Sequence, residues 1–128
     1  MKKIFIDTDI IISFTKGHAI FLKELIKEQR NNKIELIINP VVVAEFFTDK
    51  NLSNNKKYQQ AVRLFQNFTV LIINKQIGFI TGELLRNSLT VAIGDAIIAA
   101  TCLENKLELI TNNQKDFKKV KGLNFYKV

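Results

Sequence analysis

With 128 residues, 47% of them hydrophobic and 24% charged, the chain has the size and composition of one globular domain and is too apolar to be disordered. Its formal net charge of +7, from 19 Lys and Arg against 12 Asp and Glu, attracts polyanions such as nucleic acid through long-range steering and counterion release. One cysteine excludes an internal disulfide, no apolar run nears the roughly 20 residues of a bilayer span, and Asp7 and Asp9 interrupt the N-terminal apolar stretch, so the expectation is a cytoplasmic protein with no secretory leader and no membrane partner.

In chain order, Ile4-Phe5-Ile6 is a short apolar run that ends at Asp7, as a buried strand does. After Gly17, the spacing of Phe21, Leu22, Leu25 and Ile26 predicts an amphipathic helix, with His18 exposed near its start. Ile34 to Ile38 reads as a second strand. Asn39 then offers an N-cap and Pro40 a first helical residue, so Pro40 to Phe47 should be helical. Ala61, Leu64, Phe65 and Phe68 share one helical face. Val70 to Ile73 is a further strand candidate, and Asn74 can cap a helix that runs to about Ser88. Ile93 to Leu103 is apolar nearly all round, with Ala96, Ala99 and Ala100 permitting close approach to a sheet and Cys102 reading as a packed core thiol. Leu107 to Ile110 and Leu123 to Tyr126 complete the strands. No repeat or Pro/Gly-rich linker divides the chain, so residues 1–128 read as a single domain. Alternation of strands with helices predicts a three-layer α/β/α architecture around a mostly parallel sheet of four or five strands.

Four acids attach to this apolar framework: Asp7 after the first strand, Glu45 within VVVAEFF, Asp95 at the head of the alanine-rich helix, and Asp116 in NNQKDF. In such folds, groups at the carboxyl ends of parallel strands converge on one rim. Buried carboxylates are rarely left unpaired. Two unit charges about 4 Å apart repel by roughly 4 kcal/mol at an effective dielectric of 20, so convergence calls for protonation or for a cation. Oxygen donors suit Mg²⁺ or Mn²⁺, which acidify water and polarise phosphoryl oxygens, the chemistry of phosphodiester hydrolysis. Rival chemistries lack their residues. His18 is the only histidine, Cys102 has no evident base, and no GxSxG, GxxxxGK[ST], CxxC or HExxH pattern occurs. Each acid also has an ordinary structural role open to it. Asp7 can cap a helix that begins near Asp9, Glu45 can be a solvated position although VVVAEFF leaves little room for a polar face, Asp95 can sit at a helix N-terminus for the sake of the macrodipole, and Asp116 can pair with neighbouring lysines.

The run IFIDTDIII, the glutamate of PVVVAEFF and the segment GDAIIAATCLENKLELITNNQKDF resemble, in order and spacing, PIN-domain proteins of the VapC-like toxin type. The resemblance covers essentially the whole chain. It implies a Mg²⁺- or Mn²⁺-dependent endoribonuclease with Asp7, Glu45 and Asp95 as the core acidic triad and Asp116 as a more variable fourth acid. Thr8 and Thr111 match hydroxyl positions that orient the acids or the attacking water. Asn113 matches a polar position that is acidic in some relatives, so the fourth place is open between Asn113 and Asp116. Asp9 occupies a position that is often small and polar, and reads as a helix cap first and a ligand second. The resemblance further implies a small antitoxin as partner and a homodimer. Arg86, Lys115, Lys118 and Lys119 are candidates for phosphate contact with RNA, with solvated surface charge as the alternative for each. The connection LLRNSLTVAIGD is shorter and more apolar than in many relatives. Two rivals stand beside this reading. One is a haloacid-dehalogenase-like phosphatase that uses Asp7 of the Asp-x-Asp pair as nucleophile, which leaves Glu45 and the Asp95 helix without a role. The other is a catalytically inactive PIN-like RNA-binding module.

Overall fold

The computed structural model describes residues 1–90 and 92–128; Val91, within the LLRNSLTVAIGD connection, lies outside the described residues. Five strands form one sheet: β1 (Lys2–Ile6), β2 (Ile34–Ile38), β3 (Thr69–Val70), β4 (Glu108–Ile110) and β5 (Asn124–Phe125). Their order is β3-β2-β1-β4-β5, and every pairing is parallel. Helices α1 (Thr8–Thr15), α2 (Phe21–Arg30), α3 (Pro40–Phe46), α4 (Asn55–Phe65), α5 (Lys75–Arg86) and α6 (Ile93–Asn105) connect and cover the strands, with short 3-10 turns at Lys50–Ser53 and Gln114–Asp116. The mixed α/β architecture with an all-parallel central sheet is the one expected from the alternating pattern. None of the helices among the described residues is long and apolar enough to cross a membrane.

Burial follows topology. Ile4, Phe5 and Ile6 in the central strand are fully buried, as are Leu36 and Ile38 of β2 and Leu109 of β4. A parallel strand covered by helices on both faces has no solvent side, so its residues are apolar without alternation. Helix α6 packs its Ala96, Ile98, Ala99, Ala100 and Cys102 into the core, with the alanines keeping the helix close to its neighbours. Phe46, Phe47, Phe65 and Phe68 form a second aromatic centre between α3, α4 and the approach to β3, with ring centroids 4.8–5.7 Å apart.

Local chemistry sets the helix boundaries as well. Asn54 and Asn74 cap α4 and α5 through their side-chain oxygens. Gly17, at φ +86°, ends the α1 corner with its N–H on the Phe14 carbonyl. Two expectations shorten. Of the predicted strand Val70 to Ile73 only Val70 joins the sheet, in a β3 that begins one residue earlier at Thr69, because β3 is an edge strand paired with β2 alone and Ile72 turns outward. Phe68 is buried, but it follows α4 rather than belonging to its last turn.

The residue that ties the layers beneath the sheet rim is Asn39, which is fully buried. Its Oδ1 accepts the Val42 N–H as the cap of α3, and its Nδ2 donates to Thr101 Oγ1 on α6 at 3.0 Å. Asn39→Ala removes both bonds, while the Thr101 hydroxyl keeps its own bond to the Ile97 carbonyl, so it should lower unfolding free energy by about 2 kcal/mol in a urea titration monitored by circular dichroism.

Candidate active site

The strand order reverses at β1, where β2 lies on one side and β4 on the other, and this is the switch point at which parallel sheets open a crevice beyond their carboxyl ends. Asp7 stands at the end of β1. Its N–H extends the ladder to the Ile110 carbonyl at 3.0 Å, which fixes the backbone from which the carboxylate projects. Thr8 N–H donates to Asp7 Oδ1 at 2.7 Å, and the Thr111 hydroxyl donates to Asp7 Oδ2 at 2.7 Å. Asp7 is therefore both the N-cap of α1 and the buried acid of the cleft. The cap assigned first to Asp9 belongs to Asp7, since α1 begins at Thr8 and Asp9 is its second residue.

Glu45 arrives from α3 and Asp95 from the first turn of α6. Thr8 Oγ1 donates to Glu45 Oε1 at 2.7 Å and so links the second acid to the α1 N-terminus. Glu45 Oε2 lies against Gly94, where an added Cβ would sit 3.0 Å away. Asp7, Thr8, Asp9, Ile12, Glu45, Asp95 and Asn113 line one cleft of about 260 Å³. A larger apolar groove of about 610 Å³ runs past Phe47, Tyr58 and Phe65, but it gathers no cluster of acids. Chemistry rather than size marks the cleft as the candidate site.

The acids differ sharply in environment. Asp7 is buried, Asp95 is half-buried and Glu45 is exposed. The expectation that the framework acids share one buried setting is thus corrected: α3 turns Ala44 and Glu45 toward solvent between the buried Val42 and Phe46. Burial, the charge of Asp9 and a smaller effect from Glu45 raise the Asp7 carboxyl to a pKa of about 6, against the opposing hydrogen bonds from Thr111 and Thr8. Burial first, then the charges of Asp7, Asp116 and Glu45, raise Asp95 to about 6. Asp116 sits exposed on the 3-10 turn Gln114–Asp116 and does not line the cleft, although its charge reaches Asp95. Asn113 does line it, with its backbone N–H on Thr111 Oγ1 at 3.0 Å. Arg86, Lys115, Lys118 and Lys119 are exposed outside the cleft, and none is ion-paired among the described residues. Cys102 is buried in the core, where its thiol is held well above the usual range.

A model of the PIN domain matches residues 4–123. The chain is a PIN-domain protein. It is 30% identical to the ribonuclease VapC2 of Methanocaldococcus jannaschii over 99% of this chain and 95% of that one. Its fold is similar to that of DNA-bound VapBC from Salmonella typhimurium, with a TM-score of 0.78, 21% identity and 98% of each chain covered. It is also similar to a toxin–antitoxin complex from Klebsiella pneumoniae, with a TM-score of 0.71, 24% identity, and 98% of this chain and 99% of that one covered.

The donor set fits a hard divalent cation. Every polar side chain in the cleft offers oxygen, apart from the Asn113 amide nitrogen, and Asp9 Oδ1 is buried without a hydrogen-bond partner. Among the described residues, no three Asp, Glu, His or Cys side chains are grouped so that they could hold a metal ion by themselves. Magnesium does not require such a group, because it keeps several waters and takes one or two carboxylates directly. Asp7 retains acceptor capacity on both oxygens after its two hydrogen bonds, since a carboxylate has about four lone-pair sites.

The raised acids make stability depend on pH. Between the ordinary carboxylate pKa of 3.8 and about 6, the folded protein holds more protons than the unfolded chain, so Asp7 and Asp95 subtract stability as pH rises through that window. In chelator, Asp95→Asn should raise Tm over the parent by about 2–4 °C at pH 7.5 and leave it nearly unchanged at pH 4, with Mg²⁺ narrowing the neutral-pH gap. Gly94→Ala should displace Glu45, whose other oxygen is pinned by Thr8. It should depress any activity of the cleft at least tenfold (about 1.4 kcal/mol) with less than about 1 kcal/mol lost in a denaturant melt.

Proposed function

We propose that this chain, as a single PIN domain over residues 1–128, is a Mg²⁺- or Mn²⁺-dependent endoribonuclease and the toxin of a type II toxin–antitoxin pair. The observation that carries the reading is the meeting of Asp7, Glu45 and Asp95 from three separate elements in one oxygen-lined cleft at the sheet switch point. Support for RNA as substrate comes from a relative named as a ribonuclease. Support for a small antitoxin partner comes from a toxin–antitoxin complex of the same fold. The proposal includes a homodimer and a cytoplasmic location.

Asp7, Glu45 and Asp95 would hold the cation, with Asp116 acting on the site from the outer turn. When bound, the cation supplies Lewis acidity, which makes water acidic enough to attack at neutral pH and compensates the charge that develops on the phosphodiester. The residues supply the rest. Thr8 and Thr111 fix the carboxylates of Glu45 and Asp7, so the acids need no reorganisation when substrate arrives. Asp95, half-exposed on the cleft wall, would have an oxygen free to accept a proton from the attacking water. In-line attack leaves a 5′-phosphate and a 3′-hydroxyl. Arg86, Lys115, Lys118 and Lys119 would hold the RNA backbone outside the cleft.

The phosphatase alternative fits less well. It needs the acid two residues after the nucleophile free to serve the leaving group, yet Asp9 accepts hydrogen bonds from Asn112 N–H and Asn113 Nδ2. It also leaves the Thr8–Glu45 link without purpose. Asp7→Asn and Asp95→Asn should each cut cleavage of total cellular RNA at least 100-fold, as should excess chelator, while circular dichroism spectra stay unchanged. Undiminished cleavage in both variants would overturn the site, and a phospho-aspartate trapped at Asp7 would favour the phosphatase.

A further inference from the structure

Asp9 is not accounted for by helix capping, because Asp7 fills that role. It lies one turn-step into α1, on the wall of the cleft with Asp7, Glu45 and Asp95. Its two carboxylate oxygens are treated unequally. Oδ2 accepts the Asn112 N–H at 3.3 Å and Asn113 Nδ2 at 3.0 Å, which fastens the turn after β4 to the start of α1. Oδ1 is buried and has no hydrogen-bond partner. A carboxylate oxygen removed from water without a donor is costly, and the nearby Ile10 N–H and Thr111 hydroxyl, which favour the charged form of Asp9, make their own hydrogen bonds to Asp7.

Surroundings sharpen the point. Asp9 is near enough to Asp7 and Asp95 for their charges to disfavour one another. A residue present only to latch the turn could do so without a negative charge, since an amide or hydroxyl oxygen also accepts from Asn112 and Asn113. The charge strengthens those two bonds, but it also adds to the repulsion among the acids. A positive partner would offset it, and the cleft is where Asp9 stands together with Asp7, Glu45 and Asp95. Asp116, by comparison, is exposed on the outer turn and does not reach the cleft wall.

We propose that Asp9 is the fourth carboxylate of the cation site: Oδ2 holds the Asn112–Asn113 turn in place while the negative charge of the side chain acts on the hydrated divalent ion from the cleft wall. This rests on the cleft being a cation site, as the proposed function requires. Asn113 is then the residue that the arrangement demands beside Asp9. Its amide donates to the carboxylate, whereas an acid there would set a second negative charge about 3 Å away.

The test is calorimetric titration of the purified, metal-free chain with MnCl₂, paired with thermal melts in chelator. Asp9→Asn and Asp9→Ser both remove the charge and keep an acceptor for the turn, and each should weaken Mn²⁺ affinity roughly tenfold. Their Tm in chelator should match or exceed that of the parent, an outcome that a purely structural latch would not produce together with lost affinity. Asp116→Asn should change the affinity less than about twofold. Parental Mn²⁺ affinity in both Asp9 variants overturns the assignment, as does a larger loss in Asp116→Asn than in either of them. Asp95→Asn separates the two levels. If it loses affinity while the Asp9 variants do not, the Asp9 role fails alone; if it too binds Mn²⁺ like the parent, the cleft is not a cation site and both readings fall.

Discussion

One carboxylate at the end of the central strand organises the rest of the molecule. Asp7 accepts from the first N–H of α1 and from the Thr111 hydroxyl beyond β4, while its own N–H continues the β1–β4 ladder. Three elements that meet only at the switch point are thereby joined through a single buried side chain. Its burial opposes ionisation, and the two hydrogen bonds offset that only in part, so the carboxyl rests near pH 6 rather than in the usual carboxylate range. Such a residue is a poor choice for stability alone. A neutral amide would keep a cap on α1 without the charge. Keeping an acid here makes sense when something positive is to be bound.

The scaffold around Asp7 is built to make that position rigid. A central parallel strand buried on both faces cannot slip by one residue without sending Phe5 into a different packing environment, so register is strongly specified and Asp7 with it. Asn39 and Thr101 do for α3 and α6 what Thr111 does for Asp7. Their hydrogen bond fixes the helices that carry Glu45 and Asp95 relative to each other from below the rim. Thr101 passes the constraint on by donating to the Ile97 carbonyl within α6. Precision at the cleft thus comes from polar contacts that lie outside it and from a core that tolerates no change of register.

Where the sequence was legible, a local rule and the tertiary context agreed. Ile34 to Ile38 is a strand over those very residues, and Asn39-Pro40 opens α3 as its capping chemistry requires. Val70 to Ile73 has equal β propensity but lies at the sheet edge, where pairing on one side alone lets the strand end after Val70. The acids divide in the same way. Asp7 and Asp95 are readable because strand ends and helix starts have fixed positions in parallel folds. The exposure of Glu45 was hidden, since VVVAEFF looks uniformly apolar and only the short length of α3 decides which face meets solvent. Asp9 was obscured by its neighbour: two acids two residues apart at a helix start compete for one cap, and sequence does not say which takes it. Gly94 carried no signal either, because its closeness to Glu45 exists only once α3 and α6 have packed.

The distribution of charge gives the cleft a further property. With Asp7, Asp9, Glu45 and Asp95 drawn from the 12 acidic residues, eight remain to face 19 lysines and arginines over the rest of the chain. The exterior attracts a polyanion while the cleft itself repels one, and both effects fade beyond roughly 10 Å at moderate salt. A phosphate backbone can therefore be held near the rim by the basic surface yet be kept from the acids by their own field. A divalent cation in the cleft offsets part of that negative charge and gives a phosphate oxygen a positive partner there, while the outer attraction stays intact. Binding at the surface and entry to the cleft are then separable, the first governed by ionic strength and the second by cation occupancy, because opposite charges have been sorted between the surface and the strand ends.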